Sequence, residues 1–214
     1  MIKKRMKIIN QSHEILPPFP EQATRAIEVA ARTCYKSERL IDHDEESDVE
    51  LCNKLIIRDH TAMLEFADIT VRFITDRGVT HELVRHRVCS FAQESTRYVR
   101  YDGSMEFVRP VWFKECQVEG AVNPSTIWFD ACLASENAYH SMIECGSTPQ
   151  EARQVLNNSV KTEICMKANV REWRHIFKLR TSKAAHPQMR ALMMPLLEEL
   201  KSRLPVLFSD IIPK

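Results

Sequence analysis

Residues Ala67 to Asp76 read ADITVRFITD. Ile69, Val71 and Phe73 alternate with Asp68, Thr70 and Arg72, the two-residue period of a half-buried strand. Outside this stretch the period lengthens to that of helices. Downstream, Thr80 is expected to cap a short helix through HELVRHR, residues 81–87. An irregular segment from Ser90 to Arg97 follows, with a second strand from Met105 to Val111. Asn123-Pro124 opens a long helix that Gly146 stops, proline first and glycine last. Thr148, Pro149, Gln150 and Glu151 form a capping box for the next helix. Asn169 to Glu172 repeats that logic ahead of Trp173, Ile176 and Phe177. His186 begins a final helix with Met189, Leu192, Met193, Leu196 and Leu200 at helical spacing and a bend expected at Pro195.

Upstream, Pro20-Glu21 opens a helix whose apolar positions include Ala23, Ile27, Ala30 and Ala31, ending near Tyr35. Asp42 to Glu46 reads as a loop. Ser47 then caps a second helix, with Glu50 completing the box and Val49, Cys52, Leu55 and Ile56 on one side. Helices outnumber strands and the strands are not regularly interleaved. The fold class is therefore α+β, with mixed helices around a central, partly antiparallel sheet. Repeats, low-complexity runs and linkers are missing from the sequence, which implies one domain over residues 1–214.

Composition excludes several classes of function. The chain has 214 residues, 44% hydrophobic and 28% charged, with a net charge of +1. Such a balance gives no global drive toward nucleic acid or membrane. Apolar runs are far shorter than a membrane span, and the basic N-terminus enters Gln11-Ser12-His13 without an apolar core, so no secretory signal is expected. Seven cysteines, none at C-x-x-C spacing, argue against a disulfide framework or a zinc ribbon. They are expected to be reduced, mostly buried thiols in a cytoplasmic protein. Only four glycines occur, all isolated, so a dinucleotide fingerprint and a P-loop are both impossible. Any nucleotide phosphate must be held by side chains. Between residues 55 and 113 there are eight arginines and no lysine. Arginine presents a planar donor fork suited to phosphates and flat polar rings, whereas lysine presents a point charge.

The densest polar stretch is HELVRHRVCSFAQESTRYVRY, residues 81–101. Three readings of it compete. His81-Glu82 begins like a zinc-protease motif, but His86 lies five residues on, about 140° round a helix, and the two cannot share one metal. An RNA-binding surface would use the arginines for phosphates and Tyr98 and Tyr101 for stacking, yet no wider basic patch supports it. The third reading is an enzyme site for a nucleotide and a dinucleotide cofactor.

Arg85-His86-Arg87, seven residues, then Ser95 resembles the R-H-R-x7-S signature of the flavin-dependent thymidylate synthases, and the likeness extends through Arg97-Tyr98. Ala31 to Tyr35 and His60 to Phe66 are similar to the family's N-terminal blocks. Glu151-Ala152-Arg153, Asn169 with Arg171 and His175, and Leu179-Arg180 are similar to its C-terminal blocks. The resemblance covers nearly the whole chain. It implies that family's fold and a single catalytic domain that reductively methylates dUMP to dTMP. The implied partners are FAD, NADPH as reductant and 5,10-methylenetetrahydrofolate, with no metal, and a homotetramer whose sites are shared between chains.

Residue by residue, the resemblance places Glu82, Arg85, Gln93, Glu94, Ser95, Thr96, Arg97, Arg153 and Arg180 at dUMP. It places His60, Ala62, Arg85, His86, Arg87, Gln93, Asn169, Arg171 and His175 at FAD. A dUMP phosphate needs charge-assisted donors, and Arg97 with Ser95 two residues away offers a fork and a hydroxyl. Arg153 resembles the second phosphate arginine; by local sequence alone it reads as a solvated helix residue. Arg180 resembles the arginine that activates uracil by stabilising negative charge on its N3–O4 side, the catalytic role; locally it reads as a helix C-terminal cation. If HELVRHR is all helical, Arg85 and Arg87 point about 200° apart. Either the helix ends before them, or they face different partners. Cys34 and Cys89 are candidate nucleophiles, but the family methylates without an enzyme thiolate. Glu82, Ala62 and Phe66 depart from a glutamine, a hydroxyl residue and a histidine found in some members. A flavin- or nucleotide-binding relative without turnover is the alternative.

Overall fold

The computed structural model describes residues 6–41, 45–113 and 122–213. Two small strands, β1 (Lys7–Ile9) and β5 (Glu106–Val108), pair in parallel, Ile8 opposite Phe107. Four others, β2 (Ser12–Leu16), β3 (Asp68–Asp76), β4 (Ser90–Gln93) and β6 (Lys161–Asn169), form an antiparallel sheet in the order β2-β3-β6-β4. Eight helices accompany them among the described residues: α1 (Ala23–Cys34), α2 (Glu45–Ile57), α3 (Arg77–Leu83), α4 (Pro124–Glu144), α5 (Pro149–Ala152), α6 (Val170–Arg180), α7 (Pro187–Arg203) and α8 (Pro205–Phe208). The α+β class read from the sequence is what forms.

The chain folds into two compact units. One comprises the described residues of Met1–Ser12, Phe73–Arg85 and Ala92–Ile164; the other comprises those of His13–Arg72, His86–Phe91 and Cys165–Lys214.

The first unit is built on α4. Asn123 accepts hydrogen bonds from the Ser125 and Thr126 amides, Pro124 follows it, and Gly146 stops the chain at φ 94°, a conformation that costs glycine nothing. Met6, Met105, Phe107, Cys132, Tyr139 and Val160 fill the core. Glu136 is buried among them and accepts the Met105 amide at 2.7 Å, so its carboxylate is not left unpaired.

In the second unit α7 buries Met189, Leu192, Met193, Leu196, Leu197 and Leu200, and the helix runs on through Pro195. Trp173 of α6 stacks on Phe177 at 5.6 Å and donates its indole N–H to the Ile69 carbonyl at 3.0 Å. α1 turns Ala23, Ile27 and Ala31 inward together with Glu28. Glu28 is a buried charge held by Arg25 at 2.7 Å, Arg32 at 2.9 Å and the Ser47 hydroxyl at 2.6 Å. Its desolvation works toward a raised pKa, but Ser47 and the two arginines outweigh this and hold the carboxyl below its ordinary value.

Several expectations need correcting. Ser47 is not a cap. α2 begins at Glu45, and the Ser47 hydroxyl serves Glu28 instead. Of the acidic loop expected over 42–46, residues 42–44 lie outside the described residues, and Glu45-Glu46 are helical. The cap of α3 is Asp76, which accepts the Val79 amide at 2.8 Å; Thr80 sits inside the helix. That helix ends at Leu83, so Arg85 and Arg87 are not on it, and the first of the two alternatives for them holds. Ser90 to Gln93, expected to be irregular, is the edge strand β4. Only Cys52 and Cys132 are buried among the described thiols, fewer than expected, and Cys116 lies outside the described residues.

Candidate active site

Of the Arg85-His86-Arg87 triplet, the second unit holds His86 and Arg87, one buried and the other exposed. His86 is buried, while Arg87 is exposed and has no ion-pair partner among the described residues. Arg180, the last residue of α6, donates from Nε to Nε2 of His86 at 3.0 Å. On the other edge of the ring, Nδ1 lies 3.7 Å from the Glu172 carboxylate, and the His175 ring meets His86 edge-on at 6.4 Å. Burial first, then the Arg180 and His175 charges, push the His86 pKa down to about 4. The imidazole is therefore neutral near pH 7, with its proton on Nδ1 toward Glu172 and its Nε2 lone pair on Arg180. This fixes the plane of the guanidinium. His86, Glu172 and His175 have metal-ligand geometry. However, the lone pair on Nε2 is committed to Arg180, whose positive charge repels a cation.

Asn169 caps α6 through its side-chain oxygen, accepting the Glu172 amide at 2.8 Å. Arg171 is tied to Glu65 at 2.5 Å on the surface. His60 and Ala62 are brought together on the wall of an apolar cleft of about 280 Å³ that Tyr35, Leu55 and Met63 also line. An apolar cleft with an imidazole at its wall suits a flat aromatic ring, and the exposed Arg87 suits a phosphate, so the residues present fit a flavin nucleotide.

Cys89 is no nucleophile in this setting. Burial and the nearby Glu172 carboxylate raise its thiol to about 12. The arginine and imidazole that flank it in sequence do not lower it, because His86 is neutral and Arg87 points to solvent.

In the first unit, Thr96 is buried and its hydroxyl accepts from Nη1 of Arg153 at 3.5 Å, so two residues read for dUMP meet. Ser95 accepts the Arg97 amide at 3.3 Å, and Arg97 lies exposed over the Tyr98 ring. The Gln93 amide donates to the hydroxyls of Thr80 at 3.0 Å and Thr162 at 3.2 Å. Glu94 accepts from the Tyr101 hydroxyl at 2.8 Å and from Lys161 at 3.3 Å; Lys161 also reaches Glu163 at 2.7 Å. Burial and the Glu94 carboxylate both drive the Tyr101 pKa upward, so the phenol stays a donor. Gln93 and Glu94 thus spend much of their bonding on fixing β4. Glu82 is half-buried within α3, and Arg85 is exposed just past its end.

Sequence reading missed Arg77, which lines a cavity with Thr96 and Arg153. Nothing singles it out in the sequence beyond its membership of the lysine-free run of arginines.

Residues 18–206 match the family model described as thymidylate synthase complementing protein. A flavin-dependent thymidylate synthase of Geobacter sulfurreducens is 33% identical over 210 residues, 96% of this chain and 86% of the relative. One from Mycobacterium sp. (strain KMS) is 30% identical, covering 96% of this chain and 89% of the relative. In fold the chain is similar to the crystal structure of a UMP/dUMP methylase, PolB from Streptomyces cacaoi, bound with 5-Br dUMP. The TM-score is 0.78 at 20% identity, covering 95% of this chain and 96% of that one. The chain belongs to the thymidylate synthase complementing protein family, that of the flavin-dependent thymidylate synthases.

Proposed function

We propose that this chain, acting as one catalytic domain over residues 1–214, converts dUMP to dTMP. The methylene group comes from 5,10-methylenetetrahydrofolate and the reducing equivalents from NADPH by way of FAD. The observation that carries the reading is the Arg180–His86 pair. A neutral imidazole holds the guanidinium by Nε at 3.0 Å, which sets the orientation of its terminal nitrogens. Against the uracil ring those nitrogens stabilise charge developing on the N3–O4 side, which makes C5 nucleophilic without a thiolate. The bound flavin supplies the redox chemistry; the protein supplies position and charge.

Arg85, Ser95, Thr96, Arg97 and Arg153 hold the nucleotide, with Glu82, Gln93 and Glu94 supporting them. His60, Ala62, His86, Arg87, Asn169, Arg171 and His175 belong to the flavin side, where Arg85 and Gln93 also contribute. Val29, Tyr35 and Phe66 are apolar and exposed, 45%, 72% and 62% respectively. Such a surface suits contact with further copies of the chain; a homotetramer with shared sites, working in the cytoplasm, completes the reading. No helix among the described residues is long and apolar enough to cross a membrane.

An absorbance spectrum of the purified protein tests the reading. Flavin bands that bleach with NADPH and return when dUMP and methylenetetrahydrofolate are added are expected. A protein that stays colourless after incubation with FAD would refute it.

A further inference from the structure

Within the second unit, the start of α1, the first turn of α2 and the turn from α7 into α8 border a cavity of about 490 Å³. Small-molecule sites span about 300 to 1,000 Å³, so this one has room for a complete small ligand. None of its wall residues is among those assigned to dUMP or FAD. Asp48 forms part of the wall and is only 6% exposed. Its Oδ1 accepts the Val49 amide at 2.7 Å, and among the described residues no cation pairs with it. The positive end of α2 offsets part of the cost of burying this carboxylate, but it supplies less than a whole counter-charge.

The two arginines in the same wall are committed to other carboxylates. Arg25 holds Glu28 at 2.7 Å. Arg203 reaches Glu21 at 3.3 Å and Glu199 at 3.6 Å, and its guanidinium lies 3.4 Å over the Phe19 ring. Glu28, the other deeply buried carboxylate of this unit, shows the usual arrangement, with two arginines and a hydroxyl around it. Asp48 has no such escort. Cys52, one helical turn on, records the resulting field: burial first, and then the Asp48 and Glu28 carboxylates, push its thiol up to about 12.

What Asp48 lacks is a cation with N–H donors. A metal ion is a poor match, because it needs several ligands at once. Among the described residues, the one trio of His, Cys, Asp or Glu side chains close enough to share an ion is His86, Glu172 and His175, not this wall. Val49, Leu204 and Val206 make much of the remaining wall apolar, which suits a hydrocarbon body. We propose that this cavity binds a primary ammonium ion with a short apolar body, its nitrogen donating to Asp48 and its carbons lying on Val49, Leu204 and Val206. The inference does not depend on the dUMP reading.

The test is calorimetry and thermal melting of the full-length protein in amine-free phosphate buffer. The probe is n-butylammonium, and n-butanol and butyrate carry the same body without the positive charge. Wild type binds n-butylammonium saturably and melts at a higher temperature in its presence, whereas the two controls have no such effect. In D48N the affinity falls roughly 10- to 100-fold, the loss of one charge-assisted hydrogen bond. Ligand-free D48N melts at or above the wild-type temperature, because the substitution removes a buried charge that has no partner. Should D48N not fold, V206F decides: it narrows the cavity with Asp48 in place, and the affinity should again fall at least 10-fold. No binding of n-butylammonium to wild type, equal binding of butanol, or unchanged affinity in whichever variant folds would overturn the proposal. So would binding of calcium ions in place of the amine. Self-association that requires Asp48, with no response to the amine, would also overturn it and assign the carboxylate to a basic side chain of another copy.

Discussion

Arg180 and His86 are joined by one hydrogen bond of 3.0 Å between sites 94 residues apart, from the Nε of a helix-terminal arginine to the Nε2 of a buried imidazole. The bond has a definite polarity. Only a neutral imidazole can accept it, and burial together with the Arg180 charge keeps His86 neutral. Each residue therefore sets the state of the other.

Replacing Arg180 with alanine removes the charge that the proposed function sets against the uracil ring. Formation of dTMP should fall by about 10²- to 10³-fold, the usual loss when one oxyanion-type donor is removed. FAD should remain bound, as checked by its visible absorbance. Turnover within a few fold of wild type would refute the role given to Arg180.

The depressed pKa of His86 predicts a pH dependence of stability. Its folded value of about 4 lies below the ordinary 6.5, so between these limits the unfolded chain binds more protons than the folded one. Stability is then full above about pH 6.5 and falls as pH drops toward 4, by on the order of 2 kcal/mol. H86Q keeps an acceptor for Arg180 but cannot titrate, and should flatten this part of the profile in thermal melts from pH 4 to 7. An identical slope in both proteins would rule out His86 as its source.

Neither candidate nucleophile should matter. Cys89 is held protonated near neutrality, with its thiol at about 12, and among the described residues Cys34 meets no base, only the Ala30 carbonyl and the Met63 sulfur. C89S and C34S are expected to keep kcat within about two- or threefold, since neither thiolate takes part in the step. A loss of 10³-fold in either, with the fold intact, would restore a covalent mechanism.

Glu28 makes a prediction about stability alone. With its side chain fully buried against Arg25, Arg32 and Ser47, E28Q leaves two arginines without their counter-charge. The loss should be about 3 kcal/mol at pH 7, as for other broken buried pairs. Because the folded carboxyl lies below its ordinary value, its contribution is present above the carboxylate range and fades as pH falls through the folded pKa. The gap between wild type and E28Q in urea titrations should narrow at low pH. A gap that does not change with pH would mean that packing, and not charge, is what Glu28 supplies.

What could be read from sequence was local. The alternation in β3, the Asn123 and Asn169 caps and the Gly146 stop all use neighbours within a few residues, and each took the expected place. β6 was missed although Thr162, Ile164, Met166 and Ala168 are buried alternately, because a threonine and an alanine dilute the apolar period. β4 was missed for another reason. Ser90 to Gln93 is short and polar, and forms because β6 offers it a partner about 70 residues away in sequence. At the site, the signature around His86 was legible by resemblance, but its neutrality follows from burial and from Arg180, neither of which neighbouring residues reveal. Arg77 was invisible among its fellow arginines until the fold placed it in one cavity wall with Thr96 and Arg153.

The central claim is tested most directly by measuring dTMP with mass spectrometry after incubating the protein with dUMP, methylenetetrahydrofolate and NADPH, with and without FAD. Product that appears only with FAD, and that persists in C34S and C89S, is the expected result. No dTMP from flavin-loaded wild-type protein, or dTMP that forms without flavin and requires a cysteine, would contradict it.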